Sequence, residues 1–381
     1  MATPASVGNR LYFVDTLRAS VIGLVVIHHL AIIYAGNVPF YYIEPSNDLL
    51  SYLVLVVIEI LDQAWFMGLL FLLSGYFLPS SFERKGLKLF LKDRAIRLGV
   101  PLLVFTFVLA PLTYFIGVPH IQPSLLARKG VALPLQWGAY FSAASPGPLW
   151  FVALLLVFDC CYAAWRVAAR KNTAGQGGTG RGPPTYRGVI AFVLILAAVT
   201  YLVRVIVPIG LYVWFFPTLS YLPQYASFFV IGIVAYRGDW LRRVSAPLAK
   251  GAFAVAVAAA LVVVPFTLLR APTTFAGDGT WQSGVYALWD STFAVGLALG
   301  LVALYRRLFD FSGRLWKFLS QQSYAVYVIH PPIIIVVTAL FLQGVALEPL
   351  LKFGLAAAIC VPACFACAWL VRRIPLVSRV L

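Results

Sequence analysis

The sequence predicts an all-α integral membrane protein, built as a bundle of about ten transmembrane helices with both termini in the cytoplasm. Of its 381 residues, 62% are hydrophobic and only 11% are charged, whereas a soluble globular domain has about 25% charged residues. Ten apolar stretches are long enough, or nearly so, to cross a bilayer, and positive charge concentrates in alternate loops. This composition excludes a disordered chain and argues strongly against a soluble enzyme.

Each predicted span rests on an apolar run close to the roughly 20 residues that cross the hydrocarbon core. The second run is longer than a bilayer requires, so we expect it to be bent or tilted. The sixth run is the shortest. In chain order, the predicted spans are 17–35, 50–79, 98–117, 149–166, 188–207, 221–236, 251–269, 286–305, 323–342 and 350–371.

Basic residues alternate between the loops and predict the orientation of the bundle. Six Lys or Arg residues lie between the second and third spans, whereas the preceding loop, 36–49, contains none. Basic loops face the cytoplasm, and unbroken alternation requires an even number of spans. The formal net charge of +16 therefore follows from topology, and we expect no nucleic-acid partner.

The chain is predicted to form a single transmembrane domain over 1–381, with a flexible cytoplasmic loop at 172–185. The loop contains the letters G-x-G-x-x-G from Gly175 to Gly180. Because no strand precedes them and no helix begins there, the context of a dinucleotide site is missing. Two histidines inside the first apolar run argue against a cleaved signal peptide.

Ionisable side chains at bilayer depth are the functional candidates, because each charge there costs at least about 2.5–3.5 kcal/mol. Most of them lie in the first two predicted spans. The complete set is Arg18, His28, His29, Glu59, Asp62, Asp159, Arg204, Asp290 and His330.

Arg18 and His29 share one face of the first span. Eleven residues at 100° each give three turns plus about 20°, and they separate the two residues by about 16 Å along the axis. Arg18 is then expected at the cytoplasmic mouth and His29 near mid-membrane. His28 is rotated by about 100° from His29 and is the weaker candidate. The alternatives are that Arg18 is one more positive-inside residue and that His29 is a satisfied core histidine.

Five stretches in order make the chain similar to a known family. Residues 10–34 contain D-x-L-R followed by an Arg-x10-His spacing, and 71–77 read F-L-L-S-G-Y-F. The later three are R-x-x-R at 94–97, L-W-F at 149–151 and S-Y-x-x-Y-x-x-H-P at 323–331. Together these motifs resemble the acyltransferase-3 family of integral membrane acyltransferases, over nearly the whole chain.

This resemblance implies transfer of an acyl group, acetyl or succinyl, from a cytoplasmic acyl-CoA to a carbohydrate hydroxyl on the outer side of the membrane. Within the family, the chain resembles the branch that succinylates osmoregulated periplasmic glucans. The expected partners are acyl-CoA, a glycan acceptor and the lipid bilayer of the inner (plasma) membrane. No permanently bound cofactor and no metal site is expected, because acyl-CoA is a substrate and His28 and His29 point in different directions.

The chemistry assigns roles to the candidates. Coenzyme A is polyanionic, so its site needs guanidinium groups, and Arg18, Arg94 and Arg97 are the expected donor-binding residues. Arg94 and Arg97 lie three residues apart on one helix face. A histidine near mid-membrane can take the acceptor's proton or hold the acyl group in transit. His29 is the predicted catalytic histidine, together with Arg18.

The remaining candidates keep alternative roles. His330 precedes two prolines, which should break or kink the helix and free carbonyls; it could line a pore, orient the acyl group or be a satisfied polar residue. Glu59 and Asp62 share a face and could orient a histidine, bind sugar hydroxyls or pair with Arg204.

Other polar and aromatic residues complete the prediction. Ser74 beside Gly75 is expected to allow close helix packing rather than to act as a nucleophile. Ser74, Tyr324 and Trp150 are also candidate pore or acceptor residues. Loop 212–221 is aromatic and uncharged, and aromatic faces can stack on sugar rings or form a headgroup belt.

A multi-span transporter or flippase of a small metabolite or lipid-linked sugar is the alternative function. Mid-membrane histidines and carboxylates are typical of that class as well. The two halves of the chain show no duplication, which counts against a repeat-built transporter. Consumption of a thioester is the observation that separates the two functions.

Overall fold

The computed structural model describes residues 10–123, 125, 143–170, 182–213, 216–270, 273–311 and 313–381, and this part of the chain is helical without strands. Of the loop predicted to be flexible, 172–185, residues 172–181 lie outside the described residues. The first helix, α1 (Tyr12–Ala35), is followed by α2 (Leu49–Gln63) and α3 (Phe66–Arg94). Helical turns then continue through α4 (Val100–Val104) and α5 (Ala110–Gly117), with π-helical turns at Ala95–Gly99 and Phe105–Leu109 and a 3-10 turn at Val118–His120.

The second half of the chain forms longer, separate helices. Short helical turns at Trp240–Arg243, Thr273–Ala276 and Pro375–Ser378 connect or end them. The long helices are α6 (Trp150–Arg170), α7 (Tyr186–Ile206), α8 (Leu222–Gly238), α9 (Ala246–Leu268), α10 (Trp281–Leu308), α11 (Arg314–Ile335) and α12 (Pro349–Val371).

Within the described ranges, nine helical segments are long and apolar enough to span a membrane, whereas the sequence predicts ten. The difference lies in one run, Leu49–His120, which contains both the second and the third predicted spans. The chain is therefore a multi-pass membrane protein of the predicted all-α class. The orientation of its termini stays a prediction.

The expected bend in the second predicted span is confirmed and has a local cause. α2 ends at Gln63, and Trp65 leaves helical geometry with a φ of −141°. The carbonyl of Ala64, freed by this break, accepts a hydrogen bond from Gln224 Nε2 at 2.6 Å. The interruption is thus satisfied by a side chain of α8, as membrane-buried backbone requires.

Glycines bring α3 and α8 into backbone contact. A Cβ atom at Gly75 would collide with the backbone of Phe229, and one at Gly232 would collide with the backbone of Leu72 and Tyr76. Small residues allow such close approach in membrane bundles. This contact holds α3 close against α8.

Arg204 of α7 pairs with Asp290 of α10, and both side chains are buried. The predicted alternative in which Arg204 pairs with Glu59 or Asp62 is therefore wrong. The guanidinium also lies over the rings of Tyr221, at 4.7 Å, and Tyr286, at 5.5 Å. Helix packing, which sequence spacing does not reveal, selects Asp290 as the partner.

Candidate active site

A cavity of about 810 Å³ opens between α1, α2 and the segments that connect the helices on the side of the C-terminal end of α1. Its volume lies within the range of roughly 300–1,000 Å³ typical of small-molecule sites. His28 and His29 of α1 border it, as do Glu59 and Gln63 of α2. Trp150, at the start of α6, lies on another wall.

One face of α2 lines this cavity along its length. Tyr52, Val56, Glu59 and Gln63 are spaced three or four residues apart, so they form a single stripe. From Tyr52 to Gln63 the stripe is about 16 Å long, at 1.5 Å per residue. The cavity is therefore elongated, with Glu59 near the histidines and Gln63 near the break that follows α2.

His29 has a defined hydrogen-bonding pattern. Its Nδ1 lies 2.8 Å from the carbonyl oxygen of Val25, and because a carbonyl can only accept, Nδ1 bears the proton. Nε2 therefore holds the lone pair. The ring centroid is 5.2 Å from that of Phe40 and 4.9 Å from that of His330. A neutral imidazole in this state can accept a proton or attack a carbonyl through Nε2.

His330 packs against the ring of His29 but is not a lining residue of the cavity. Its Nδ1 is 2.8 Å from the carbonyl oxygen of Tyr327, a carbonyl that Pro331 leaves free because proline has no N–H to donate. Its Nε2 is buried without a hydrogen-bond partner. Of the predicted break or kink at the two prolines, the break is absent, since α11 continues through them to Ile335. The freed carbonyl is present and orients the imidazole.

His28 also borders the cavity, although sequence spacing made it the weaker candidate. α1 is surrounded by other helices, so two of its faces, not one, carry site residues. His28 Nδ1 lies 3.7 Å from Asp62 Oδ2, and its ring packs against Phe66 at 4.9 Å and His29 at 5.5 Å. Among the roles predicted for Asp62, its position beside His28 favours that of orienting a histidine.

Glu59 is 7% exposed and has one engaged oxygen. Its Oε2 accepts a hydrogen bond from Asn37 Nδ2 at 2.9 Å, and Oε1 is buried without a partner. Sequence reasoning missed Asn37. The glycine that precedes Asn37 is the sequence feature that could have indicated it. Gly36 ends α1 in the left-handed conformation with a φ of 63°, which turns the next residue back toward the bundle.

Aromatic rings form the wall around Trp150. The Trp150 ring lies 5.3 Å from Tyr225 at an angle of 30°, and the Tyr225 hydroxyl accepts a hydrogen bond from Gln63 Nε2 at 3.0 Å. Tyr221 lies 6.3 Å from Tyr225 and is nearly parallel to it. Tyr327, which sequence reasoning used only as a motif letter, also borders the cavity and donates its hydroxyl to the carbonyl oxygen of Pro148.

The predicted donor-binding arginines lie outside this cavity. Arg18 Nη2 pairs with Asp15 Oδ1 at 3.1 Å, and its side chain is 41% exposed. Arg97 is 60% exposed and pairs with Asp93, four residues earlier. These two guanidinium groups are therefore accessible from the face that holds the basic loop.

Arg94 and Tyr324 are more enclosed. Arg94 Nε lies 3.1 Å from Asp159 Oδ2, whose side chain is 2% exposed. The Tyr324 hydroxyl donates to the carbonyl oxygen of Arg97 at 2.5 Å. The structure thus brings Arg94, Arg97 and Tyr324 together and links them to α6 and α11, and none of the three is a lining residue of the cavity.

Ser74 is expected to be dispensable for acyl transfer. Its hydroxyl donates to the carbonyl oxygen of Leu70 at 2.8 Å, within its own helix, and it does not border the cavity. Ser74→Ala should leave kcat unchanged and cost no more than about 1 kcal/mol of stability. The neighbouring Gly75→Val should lower the yield of folded protein, because its side chain meets the α8 backbone. Loss of turnover in folded Ser74→Ala would show that the hydroxyl takes part in the chemistry.

Comparison with known proteins identifies the family. A family model described as an acyltransferase domain, of the acyltransferase-3 type, matches residues 11–370. The chain is 25% identical over 347 residues to glucans biosynthesis protein C of Escherichia coli K12, covering 85% of this chain and 82% of that protein. The protein of the same name from Shigella dysenteriae serotype 1 (strain Sd197) has the same identity and coverage. No solved structure matches the chain.

The family match, over residues 11–370, covers nearly all of the chain that forms the long helices. The protein is a transferase. This chain belongs to the acyltransferase-3 family of membrane acyltransferases.

Proposed function

We propose that the protein moves an acyl group, acetyl or succinyl, from a cytoplasmic acyl-CoA to a hydroxyl of a carbohydrate at the outer face of the inner membrane. The cavity that holds the Nε2 lone pair of His29 is the observation that supports this function best. The relatives are named for glucan biosynthesis, which supports a glucan as the acceptor.

The donor is proposed to bind at the basic face. Arg18 and Arg97 are accessible and can pair with the phosphates of coenzyme A. The Arg94 guanidinium is already paired with the buried carboxylate of Asp159. Arg94 therefore contributes mainly by joining the basic loop to α6. About 16 Å separates Arg18 from His29 along α1, so the acyl group, at the end of the long pantetheine arm, must enter the bundle to reach the histidine.

The acceptor is proposed to occupy the cavity. Trp150 and Tyr221 border the cavity and offer ring faces on which sugars can stack, and the buried Tyr225 ring packs against both. Glu59 offers a buried oxygen without a partner, which can accept a hydrogen bond from a sugar hydroxyl. The few polar atoms among aromatic walls are typical of a site that orients its ligand by a small number of hydrogen bonds.

Arg18→Ala is expected to remove the stabilisation of the purified protein by coenzyme A. A ligand at about 100 times its dissociation constant should add roughly 2.7 kcal/mol to the stability of the wild type. The measurement is the thermal unfolding midpoint in detergent with CoA, acetyl-CoA and succinyl-CoA. Arg84→Ala is the matched control, because Arg84 is an exposed arginine of the basic loop between the second and third predicted spans.

Two outcomes would contradict the proposal. If neither thioester shifts the midpoint of the wild type and none is consumed, the donor is not acyl-CoA. If Arg84→Ala and Arg18→Ala lose the shift equally, the effect is one of general charge rather than of a site. Transport of an intact sugar without thioester consumption would favour the transporter function.

A further inference from the structure

Two adjacent histidines border the cavity, but their surroundings differ in charge. His28 Nδ1 faces Asp62 Oδ2 at 3.7 Å, and both atoms are buried without a hydrogen-bond partner. Catalytic hydrogen bonds are often long in structures without substrate and shorten when it binds. Only a small movement would make this contact a hydrogen bond from Nδ1 to the carboxylate, which would leave the lone pair on Nε2.

His29 has no such partner. Its Nδ1 donates to a neutral carbonyl, that of Val25, and its ring neighbours are Phe40, His28 and His330. No ion pair or hydrogen bond joins His29 to a carboxylate in the described part of the chain. A protonated His29 would therefore lie between two other imidazoles, whereas a protonated His28 would lie against a carboxylate.

We infer that the two histidines divide the reaction: His28, oriented by Asp62, accepts the proton of the acceptor hydroxyl, and His29 holds the acyl group in transit. An imidazolium is stabilised by an adjacent carboxylate, and of the two histidines only His28 has one in contact. This inference deepens the proposed function and rests on it. It assigns the proton transfer to a residue that sequence spacing ranked below its neighbour.

In the first step, His29 Nε2 attacks the thioester carbonyl. The N–C bond forms, the C–S bond breaks, and the CoA thiolate leaves with the electron pair and takes a proton from water on the donor side. The acylated ring is cationic because Nδ1 keeps its proton. Its hydrogen bond to the Val25 carbonyl then becomes charge-assisted.

In the second step, the acceptor oxygen attacks the acyl carbon. Its O–H bond breaks as the proton passes to His28 Nε2, the O–C bond forms, and the C–N bond breaks to return neutral His29. His28 then releases its proton to water in the cavity. The sum is one alcohol and one thioester converted to one ester and one free thiol, and Asp62 is a positioning residue.

The test separates the two steps with a matched pair of variants, His28→Gln and His29→Gln. Release of CoA is measured first with acetyl-CoA and no acceptor. Wild type and His28→Gln should both release up to one CoA per enzyme in a rapid burst, and His29→Gln should release none. With a glucan acceptor added, both variants should form product at least about 100-fold more slowly than wild type.

Hydroxylamine provides a readout that a merely structural role of His28 would not move. It is a strong nucleophile that attacks an acyl imidazole without a general base. With hydroxylamine as the acceptor, His28→Gln should turn over at nearly the rate of the wild type. His29→Gln should remain at the uncatalysed rate. Asp62→Asn should behave like a weaker His28→Gln, and combining the two substitutions should add no further loss.

Each outcome has a distinct meaning. A wild type that consumes no thioester overturns the proposed function, and the division of roles falls with it. Normal acceptor turnover in His28→Gln, or a lost burst in that variant while it retains wild-type thermal stability, overturns the inference. A retained burst in His29→Gln shows that the acyl group is not held there.

Discussion

Replacing His29 with alanine is expected to lower kcat for acyl transfer by at least about 100-fold, because the imidazole that takes part in the chemistry is removed. The cavity has no other imidazole in the same geometry, because His28 is rotated toward Asp62 and His330 lies behind the ring. Stabilisation by CoA should persist, because Arg18, which is proposed to bind the donor, lies about 16 Å away along α1. Product formed from radiolabelled acetyl-CoA or succinyl-CoA is the measurement, with thermal unfolding as the binding readout.

His120→Ala is the matched control for this variant. His120 also bonds a backbone carbonyl through Nδ1, that of Ile116 at 2.9 Å, but it is not a lining residue of the cavity. It should retain wild-type turnover. Abundant acylated product from folded His29→Ala would exclude His29 from the chemistry and shift attention to the His28–Asp62 pair.

The second large effect concerns stability. Arg204→Leu should destabilise the protein by about 3–5 kcal/mol, because it leaves the Asp290 carboxylate buried without its cation. The double variant Arg204→Leu/Asp290→Leu should recover most of this loss, since replacing both partners of a buried ion pair by apolar residues is often neutral. Unfolding midpoints of the single and double variants in one detergent are the measurement.

An exposed pair supplies the control. Arg242 lies 3.7 Å from Asp239, and both side chains are about 40% exposed. Solvent screens such pairs, so Arg242→Leu should cost no more than about 1 kcal/mol. Equal losses from Arg204→Leu and Arg242→Leu would mean that burial of Asp290 does not set the penalty.

The sequence predicts the elements of the fold well because their signals are local. Apolar length and basic loops mark the helices, and the excess apolar length of 50–79 correctly indicated a bend. Where that bend occurs was not predictable, because the break at Trp65 is satisfied by Gln224, which is distant in the chain. The number of spans differs by one because a single helical run contains two predicted spans.

The candidate site was predictable in part. Arg18 and His29 follow from helical periodicity, and both retain the proposed roles. Sequence spacing makes His28 the weaker candidate, because a rotation of 100° from His29 points away from the face that Arg18 and His29 share. In the folded bundle, α2 and α3 bring Asp62 and Phe66 to that second face. Asn37 and Tyr327 were not selected, because the criterion for candidates was a histidine or a charged side chain at bilayer depth.

By itself, the sequence determined the helical membrane class, the family and the identity of the buried ionisable residues, because hydropathy, motifs and the cost of a charge in a bilayer can all be read along one segment. Tertiary structure alone decided which partner each buried charge has. Arg204 and Asp290, for example, lie 86 residues apart. A desolvated charge is stable only beside a specific counter-charge, and packing between distant helices determines which counter-charge is within reach.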